Sequence, residues 1–319
     1  MDGKTARLFT ENLIRAVSKA TIVNRKLTYD LLHMGAEEFV SLTGCIKESM
    51  TITSVDGTAA YDLNANFLKL YLKDKNPKGG EFFILYNDGT TTYTVYFKSY
   101  QSVIFDNETT EQSIPSYFTL LEKTSLPDQV TGTITSASAV SGGQSTLNDS
   151  ATTLSDNVSP RDIVHNATRD ASGIVLTVST NSATTAMFDS DGNPVGWDSN
   201  DSYVIQPVHQ MQMQFVPPSS TSGHTATVYY VAKPAPVYTD YGTWQIQDQW
   251  HKAFCYWAAD AYLAQYEIDD PKQGVQLLAG KKYMDKFNDI VRRAKYDIDK
   301  SLGKTGYSMR SEVNAKDNN

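Results

Sequence analysis

Residues 124–232 contain neither lysine nor glutamate, and this omission constrains the fold more than any other feature of the sequence. The segment carries only two basic side chains, Arg161 and Arg169, together with nine aspartates. Lys and Glu are strong helix formers, whereas the Val and Thr that are common here favour strands, and Ser, Asn, Asp and Gly favour turns. The middle third of the chain is therefore predicted to form strands and turns.

The charge of the whole chain limits its partners. Its 319 residues have a net charge of −8, which argues against a general affinity for nucleic acid, because that affinity needs clustered Lys and Arg. The longest apolar runs, such as residues 82–86, are too short to cross a bilayer, and the polar N-terminus is unlike a signal peptide. We therefore expect no membrane association.

Helical periodicity is confined to the two ends of the chain. Apolar residues recur at helical spacing over 8–17, and a second helix is predicted from Thr28, as N-cap, to Gly44, as the residue after the last turn. Near the other end, apolar residues over 250–261 follow the same spacing, and Asp270 before a proline starts another helix. The short break between these last two predicts an antiparallel helical hairpin.

Strand signals fill the sequence between the helical ends. The stretch MTITSVDGTAAYDL predicts two strands joined by a turn at Asp56-Gly57, and EFFILYND and TYTVYFKSY alternate in the same way. The stretch SYFTLLEK could close this first sheet. Met211, Met213 and Phe215 are two residues apart and predict one face of a later strand. Short connections predict antiparallel pairing.

No reaction motif occurs in the sequence. GxSxG, Walker, GxGxxG and HExxH patterns are absent, and the five histidines are scattered, with His33 assigned to a core or surface position on its helix. The run Asp189–Asn193 alternates oxygen ligands but lacks the spacing of a calcium loop, so a polar hairpin turn is favoured. Cys45 and Cys255 have no metal-ligand spacing and are predicted to be buried free thiols. We expect no enzyme activity, no catalytic residue, no metal site and no cofactor.

The order of segments resembles that of head–tail adaptor, or connector, proteins of tailed bacteriophages. The matching stretches, together 91 of the 319 residues, are LTYDLLHMGAEEFVSLTGCIK, YDLNANFLKLYL, TATVYYVAKPAP and WHKAFCYWAADAYLAQYEIDDPKQGVQLLAGKKYMDKFNDIVRRAK. The resemblance rests on order and pattern rather than on a sharp signature.

The middle stretch resembles a small β module that is common in phage structural proteins. A first phrase, TLNDSATTL, is followed by DIVHNATRDASGIVLTV, and the module closes on a W-x-x-x-D-x-Y-x-I ending. Trp197, Asp201, Tyr203 and Ile205 supply that ending. Adaptor proteins are often shorter and lack such an insertion, so its role stays open.

The two resemblances imply an α+β fold. A helical hairpin body, made of the N-terminal helices and the C-terminal antiparallel helix pair, would carry an antiparallel β region and an inserted small β domain. Residues 1–128 with 207–302 would form the adaptor body, 129–206 the inserted domain and 303–319 an extended or disordered tail.

The adaptor resemblance also implies a structural role in the virion, after assembly in the host cytoplasm. Many copies, typically twelve, would form a ring beneath the portal, join the head to the tail and line the channel for genomic DNA without reading its sequence. The partners would be the portal, a downstream tail or nozzle protein and other copies of the chain. Tyr307, Met309 and Arg310 would dock the C-terminal segment of the chain, residues 303–319, on the portal. Trp244, which precedes the apolar stripe of the helix, could line a subunit interface.

Two other classes of function stay open on the sequence alone. A tail or baseplate module could bind host glycans or other virion proteins through the inserted β domain. A tail hydrolase would need clustered carboxylates, and the middle third supplies aspartate but no glutamate.

Overall fold

The computed structural model of the protein describes residues 1–17, 23–71, 82–102, 111–122, 128–208, 211–266 and 273–301. Within these ranges the α-helices are α1 (Gly3–Val17), α2 (Arg25–Thr43), α3 (His251–Tyr266) and α4 (Gln273–Ser301). The strands are β1 (Lys47–Thr53), β2 (Ala60–Asp62), β3 (Phe67–Leu70), β4 (Phe83–Asn87), β5 (Thr92–Phe97), β6 (Tyr117–Glu122), β7 (Val130–Thr133), β8 (Ser145–Asn148), β9 (Ile163–Asn166), β10 (Ala171–Ser179), β11 (Ser182–Phe188), β12 (Ser202–Gln206), β13 (Met211–Val216) and β14 (Thr225–Ala232).

Eight of the strands form one barrel-like sheet. Its order is β1-β14-β4-β5-β6-β13-β2, and β3 also pairs with β14. The predicted face of β13 is confirmed for Met213 and Phe215, which are fully buried in the core of this sheet. The predicted pairing within 50–63 is wrong, because β1 pairs with β14 and β2 pairs with β13. Antiparallel pairing holds except between β5 and β6, which are parallel.

The other six strands form a second sheet in the order β7-β12-β9-β10-β11-β8. The W-x-x-x-D-x-Y-x-I ending supplies its core, where Trp197 and Tyr203 are both 1% exposed. The Tyr203 hydroxyl donates to Asp149 Oδ2 at 2.7 Å, and the Trp197 indole donates to Thr185 Oγ1 at 3.0 Å. These bonds satisfy both polar groups of the buried rings, as burial of Tyr and Trp requires.

This second sheet is inserted between two strands that are direct neighbours. The chain leaves the first sheet after β6 and returns to it in β13, and β6 and β13 pair with each other over six residue pairs. The flanking segments can therefore complete the first sheet without the second one. The division at residues 129–206 into a separate domain stays a prediction, and the predicted tail at 303–319 lies outside the described residues.

The helices pack around α3, which contacts α1, α2 and α4. The predicted end of α2 is confirmed, because Gly44 has a φ of 63° and its N–H donates to Val40 O. The predicted N-cap at Thr28 is wrong. Asn24 caps the helix, since its side chain accepts a hydrogen bond from Leu27 N at 3.1 Å.

The prediction of a helical-hairpin body is also wrong. The described chain is mostly β, with fourteen strands in a near-closed barrel-like sheet and a half-barrel sheet. The long helical stripes are strong local signals, whereas the strands are short and pair across large sequence separations, as β1 does with β14. Sequence periodicity indicates that a segment is a strand but does not specify its pairing partner, so it does not predict how many strands one sheet contains.

Candidate functional site

The six-stranded sheet is anchored to helix α2 by three buried aromatic rings. Phe188, at the end of β11, lies 6.4 Å from both Tyr29 and Tyr238, and those two rings are 6.0 Å apart, measured between ring centroids. Their exposed fractions are 1%, 0% and 7%. Aromatic pairs at these distances contribute beyond the area that they bury, so the two parts of the chain share one apolar contact.

A charged cleft of about 440 Å³ lies beside this contact, between α2 and the strands β9 and β10. Lys26, Asp30, His33 and Glu37 form its α2 wall, because residues three and four apart share one face of a helix. The opposite wall and floor are contributed by a mixture of charged, polar and apolar residues, namely Arg161, Ile163, His165, Ser172, Gly173, Ile174, Val208, Lys233 and Tyr238.

Arg161 connects the two walls of the cleft. Its Nη1 donates to Pro234 O at 2.7 Å, and its Nη2 contacts both Glu37 Oε1 and, at 3.1 Å, His33 Nε2. The side chain is only 7% exposed. A guanidinium carries fixed, forked donors, so this set of contacts fixes the orientation of the six-stranded sheet against α2.

A strained turn places Arg161 in this position. Arg161 has a φ of 87°, a left-handed conformation that costs a non-glycine residue on the order of 1–3 kcal/mol. Its neighbour Asp162 holds the turn, since its carboxylate accepts from Ser159 N at 2.8 Å and from Val208 N at 3.0 Å. Burial raises the pKa of Asp162, and these two backbone donors oppose that shift.

The charged groups in the cleft shift one another's pKa values. Burial alone would raise the pKa of Glu37, but a hydrogen bond with His33 and then the nearby positive charges of Arg161 and Lys233 lower it overall. Burial lowers the pKa of Lys233, Arg161 lowers it further, and Glu37 opposes both. Glu37 is therefore held ionised, and Lys233 is a cation that the protein solvates poorly.

Further polar contacts are made by side chains of α2 at this junction. Lys26 Nζ lies 2.9 Å from Asp30 Oδ2. The hydroxyl of Tyr238 bonds to Asp30, and burial followed by the charge and hydrogen bond of that aspartate raises the Tyr238 pKa well above its ordinary value. On the far side of the aromatic contact, the Tyr29 hydroxyl donates to Asp240 Oδ1 at 2.7 Å. Tyr29 and Asp30 of α2 thus have partners outside the helix, whereas Lys26 pairs within it.

Of the residues that the sequence singled out for partner binding, Trp244 belongs to the described part of the chain, and it is not among the residues that line this cleft. Trp244 is 6% exposed in the helical core, with its ring centroid 4.6 Å from that of Phe254, and its indole nitrogen has no hydrogen-bond partner within the described chain. Its role at a subunit interface stays a prediction. Tyr307, Met309 and Arg310 lie outside the described residues.

The candidate calcium loop and the two cysteines lie outside this cleft. Asp189–Asn193 forms a turn in which Asp189 N donates to Asn193 O and Gly192 N donates to Asp189 O. Both thiols are free; Cys255 is fully buried, which raises its pKa to about 12, whereas Cys45 is only partly buried. In the described ranges, no group of three or more His, Cys, Asp or Glu side chains is placed to hold a metal ion.

Sequence reasoning missed both Arg161 and His33 as members of a site. Arg161 is one of only two cations in 109 residues of otherwise acidic, strand-forming sequence, and an isolated cation in such surroundings can signal a specific partner. The signal for His33 was its helical spacing from Asp30 and Glu37, which places three titratable groups on one face of α2.

The sequence matches no protein-family model and shows no significant similarity to a curated protein. No helix among the described residues combines the length and apolar character that spanning a membrane requires. The candidate site is therefore interpreted from its own geometry. That geometry fixes one part of the chain against another and leaves cationic and imidazole groups facing a cleft.

Proposed function

We propose that this protein is a structural head–tail adaptor of a tailed phage. Copies of the chain would form a ring beneath the portal, join the head to a downstream tail or nozzle protein and line the path of the DNA in the assembled virion. The net charge of −8 suits such a channel, because like charge reduces sticking of the passing DNA.

The observation that carries this proposal is the proximity of the segments on which the resemblance rests. Helix α2 contacts α3 and β14, strand β3 pairs with β14, and α3 packs against α4. Segments that are scattered over the sequence thus meet in one region of the molecule. The six-stranded sheet interrupts them only between the neighbouring strands β6 and β13.

Assembly with the portal tests the proposal directly. Purified protein mixed with assembled portal rings should give an added ring of density by electron microscopy, and native mass spectrometry should give its copy number. A chain that stays unbound across micromolar concentrations of portal would refute the adaptor function. Binding of the isolated protein to host-cell glycans would instead favour a baseplate or tail module.

The predicted docking residues can be tested in the same assay. Replacing Tyr307, Met309 and Arg310 together with alanine should abolish portal binding and leave thermal unfolding unchanged. Ser308→Ala is the matched control, because it changes the same segment without removing an apolar anchor or a charge. Equal portal binding by the two variants would refute docking through these three residues while leaving the adaptor proposal intact.

A further inference from the structure

The acidic charge of the chain is concentrated in the part that carries the six-stranded sheet. Residues 128–201 contain nine aspartates and two arginines, with no glutamate and no lysine. Both arginines already have acidic partners. Arg161 pairs with Glu37. Arg169 pairs with Asp198. This part of the chain therefore has a net charge of −7, which its own cations do not balance.

Three of these aspartates lie at one end of the sheet. Asp170 is in the turn before β10 and Asp191 is in the turn after β11, and these two strands are antiparallel neighbours. Asp198 is at the same end, because it pairs with Arg169, the residue before Asp170. All three aspartates are exposed, and Asp170 and Asp191 form no ion pair within the described ranges. We call Asp170, Asp191 and Asp198 the acidic end.

Helix α4 presents the opposite charge to solvent. Its residues 281–299 include six cations and four aspartates, and all six cations are exposed. Phe287 and Val291 are buried in the helical core, so the exposed cations occupy the rest of the helix surface. Neither Lys282 nor Arg293 has an ion pair among the described residues.

An exposed aromatic ring lies among these cations. Tyr296 is 45% exposed, and it shares one side of α4 with Lys282 and Arg293, because their spacings are close to whole turns of about 3.6 residues. Aromatic residues and arginine are enriched in protein–protein interfaces. We call Lys282, Arg293 and Tyr296 the basic face.

We propose that the acidic end of one copy docks on the basic face of α4 in a second copy. Contact between two acidic ends, or between two basic faces, would bring like charges together. A head-to-tail contact instead pairs opposite charges, and complementary charge of this kind sets the register and suppresses wrong partners.

The two surfaces can be used at the same time. The six-stranded sheet is anchored to α2, whereas α4 packs mainly on α3. One copy can therefore give its acidic end to one neighbour and its basic face to the other, and such contacts repeat until a ring closes. This inference rests on the proposed function, in which copies of the chain form a ring, and it names the contact between neighbours.

Self-association of the purified chain tests the role of charge. Sedimentation velocity without portal should show association at submillimolar concentration in about 0.1 M salt and its loss in about 1 M salt, because the screening length falls from about 10 Å to about 3 Å. A wild-type chain that is monomeric in both salts, or that associates equally in both, would overturn the proposal.

Two variants, each with one altered surface, test which surfaces meet. The basic-face variant is Lys282→Gln with Arg293→Gln, and the acidic-end variant is Asp170→Asn with Asp191→Ser. Asparagine suits residue 170, whose φ is 50°. Each variant alone should self-associate more weakly than wild type by about tenfold or more, because charge-assisted contacts are lost.

An equal mixture of the two variants is the decisive measurement. Each variant supplies the surface that the other lacks, so the mixture should form dimers, and nothing larger, at concentrations where each variant alone is monomeric. A mixture that stays monomeric would refute a head-to-tail contact between these surfaces. The control, Asp56→Ser with Glu111→Gln, makes the same change in net charge at two other exposed residues. Equal weakening by the control would indicate a general charge effect and would also overturn the proposal.

Two further arms separate the alternatives. Binding of a short DNA duplex to wild type but not to the basic-face variant, without self-association, would assign the basic face to DNA and overturn the proposal. Portal rings that both variants decorate as wild type does would reject this contact and keep the adaptor function. Dimers in the mixture without any portal binding would keep the contact and reject the adaptor function. If a variant does not fold, the comparison of salts on wild-type protein still decides.

Discussion

Replacing Arg161 with methionine should destabilise the contact between the six-stranded sheet and α2. Methionine keeps much of the side-chain volume but removes every donor. Three acceptors then lose a partner: Pro234 O, His33 Nε2 and the Glu37 carboxylate. Removing one partner of a buried ion pair is strongly destabilising, because the remaining charge is left uncompensated.

The size of the effect follows from the burial of those acceptors. An unsatisfied buried acceptor costs about 1–3 kcal/mol, and we take about 1 kcal/mol each for Pro234 O and His33 Nε2. The side chain of Glu37 is 31% exposed, so water can solvate it and its contribution is also about 1 kcal/mol. The strained φ at residue 161 is kept. We expect the free energy of unfolding to fall by about 3 kcal/mol, the lower end of the range for broken buried pairs.

Urea unfolding followed by tryptophan fluorescence measures this loss. Trp197 lies in the six-stranded sheet and the three other tryptophans lie in residues 244–257, so the summed fluorescence reports on unfolding of both regions. Arg292→Met is the matched control, because Arg292 pairs with Asp289 on the surface of α4, where a salt bridge contributes about 0–1 kcal/mol. If both variants lose the same stability, Arg161 does not fix the two parts of the chain together.

Two further outcomes follow from buried polar groups. The pKa of Glu37 is lowered in the folded protein, so its stabilising effect is present above the ordinary pKa of a glutamate and is lost as the pH falls through the lowered pKa. The difference in unfolding free energy between wild type and Glu37→Gln should therefore shrink below about pH 4. A difference that stays constant with pH would contradict the lowered pKa. Tyr203→Phe removes a buried hydrogen bond to a carboxylate and should cost about 1–3 kcal/mol in urea unfolding, whereas Tyr241→Phe, at a ring that is 78% exposed, should change stability by less than about 0.5 kcal/mol.

Local features of the fold could be predicted because their causes are local. The glycine that ends α2 is required by its left-handed backbone, and the two-residue spacing of Met213 and Phe215 reflects the pleat of a strand. The pairing of β1 with β14 joins residues more than 170 positions apart, and no local pattern specifies it. The cleft has the same origin, since Arg161 meets Glu37 only after the six-stranded sheet has packed on α2.

The apolar and charged contacts at this junction have different physical roles. Burial of Tyr29, Phe188 and Tyr238 is non-directional, so it holds the six-stranded sheet on α2 without choosing one rotation over another. The Arg161 fork is directional, and it can meet Glu37 and Pro234 together in only one orientation. In a ring of identical chains, the apolar contact would keep each sheet attached, and the charged contact would point all of them the same way. Loss of Arg161 should therefore blur the density of the sheets in a ring image before it detaches them.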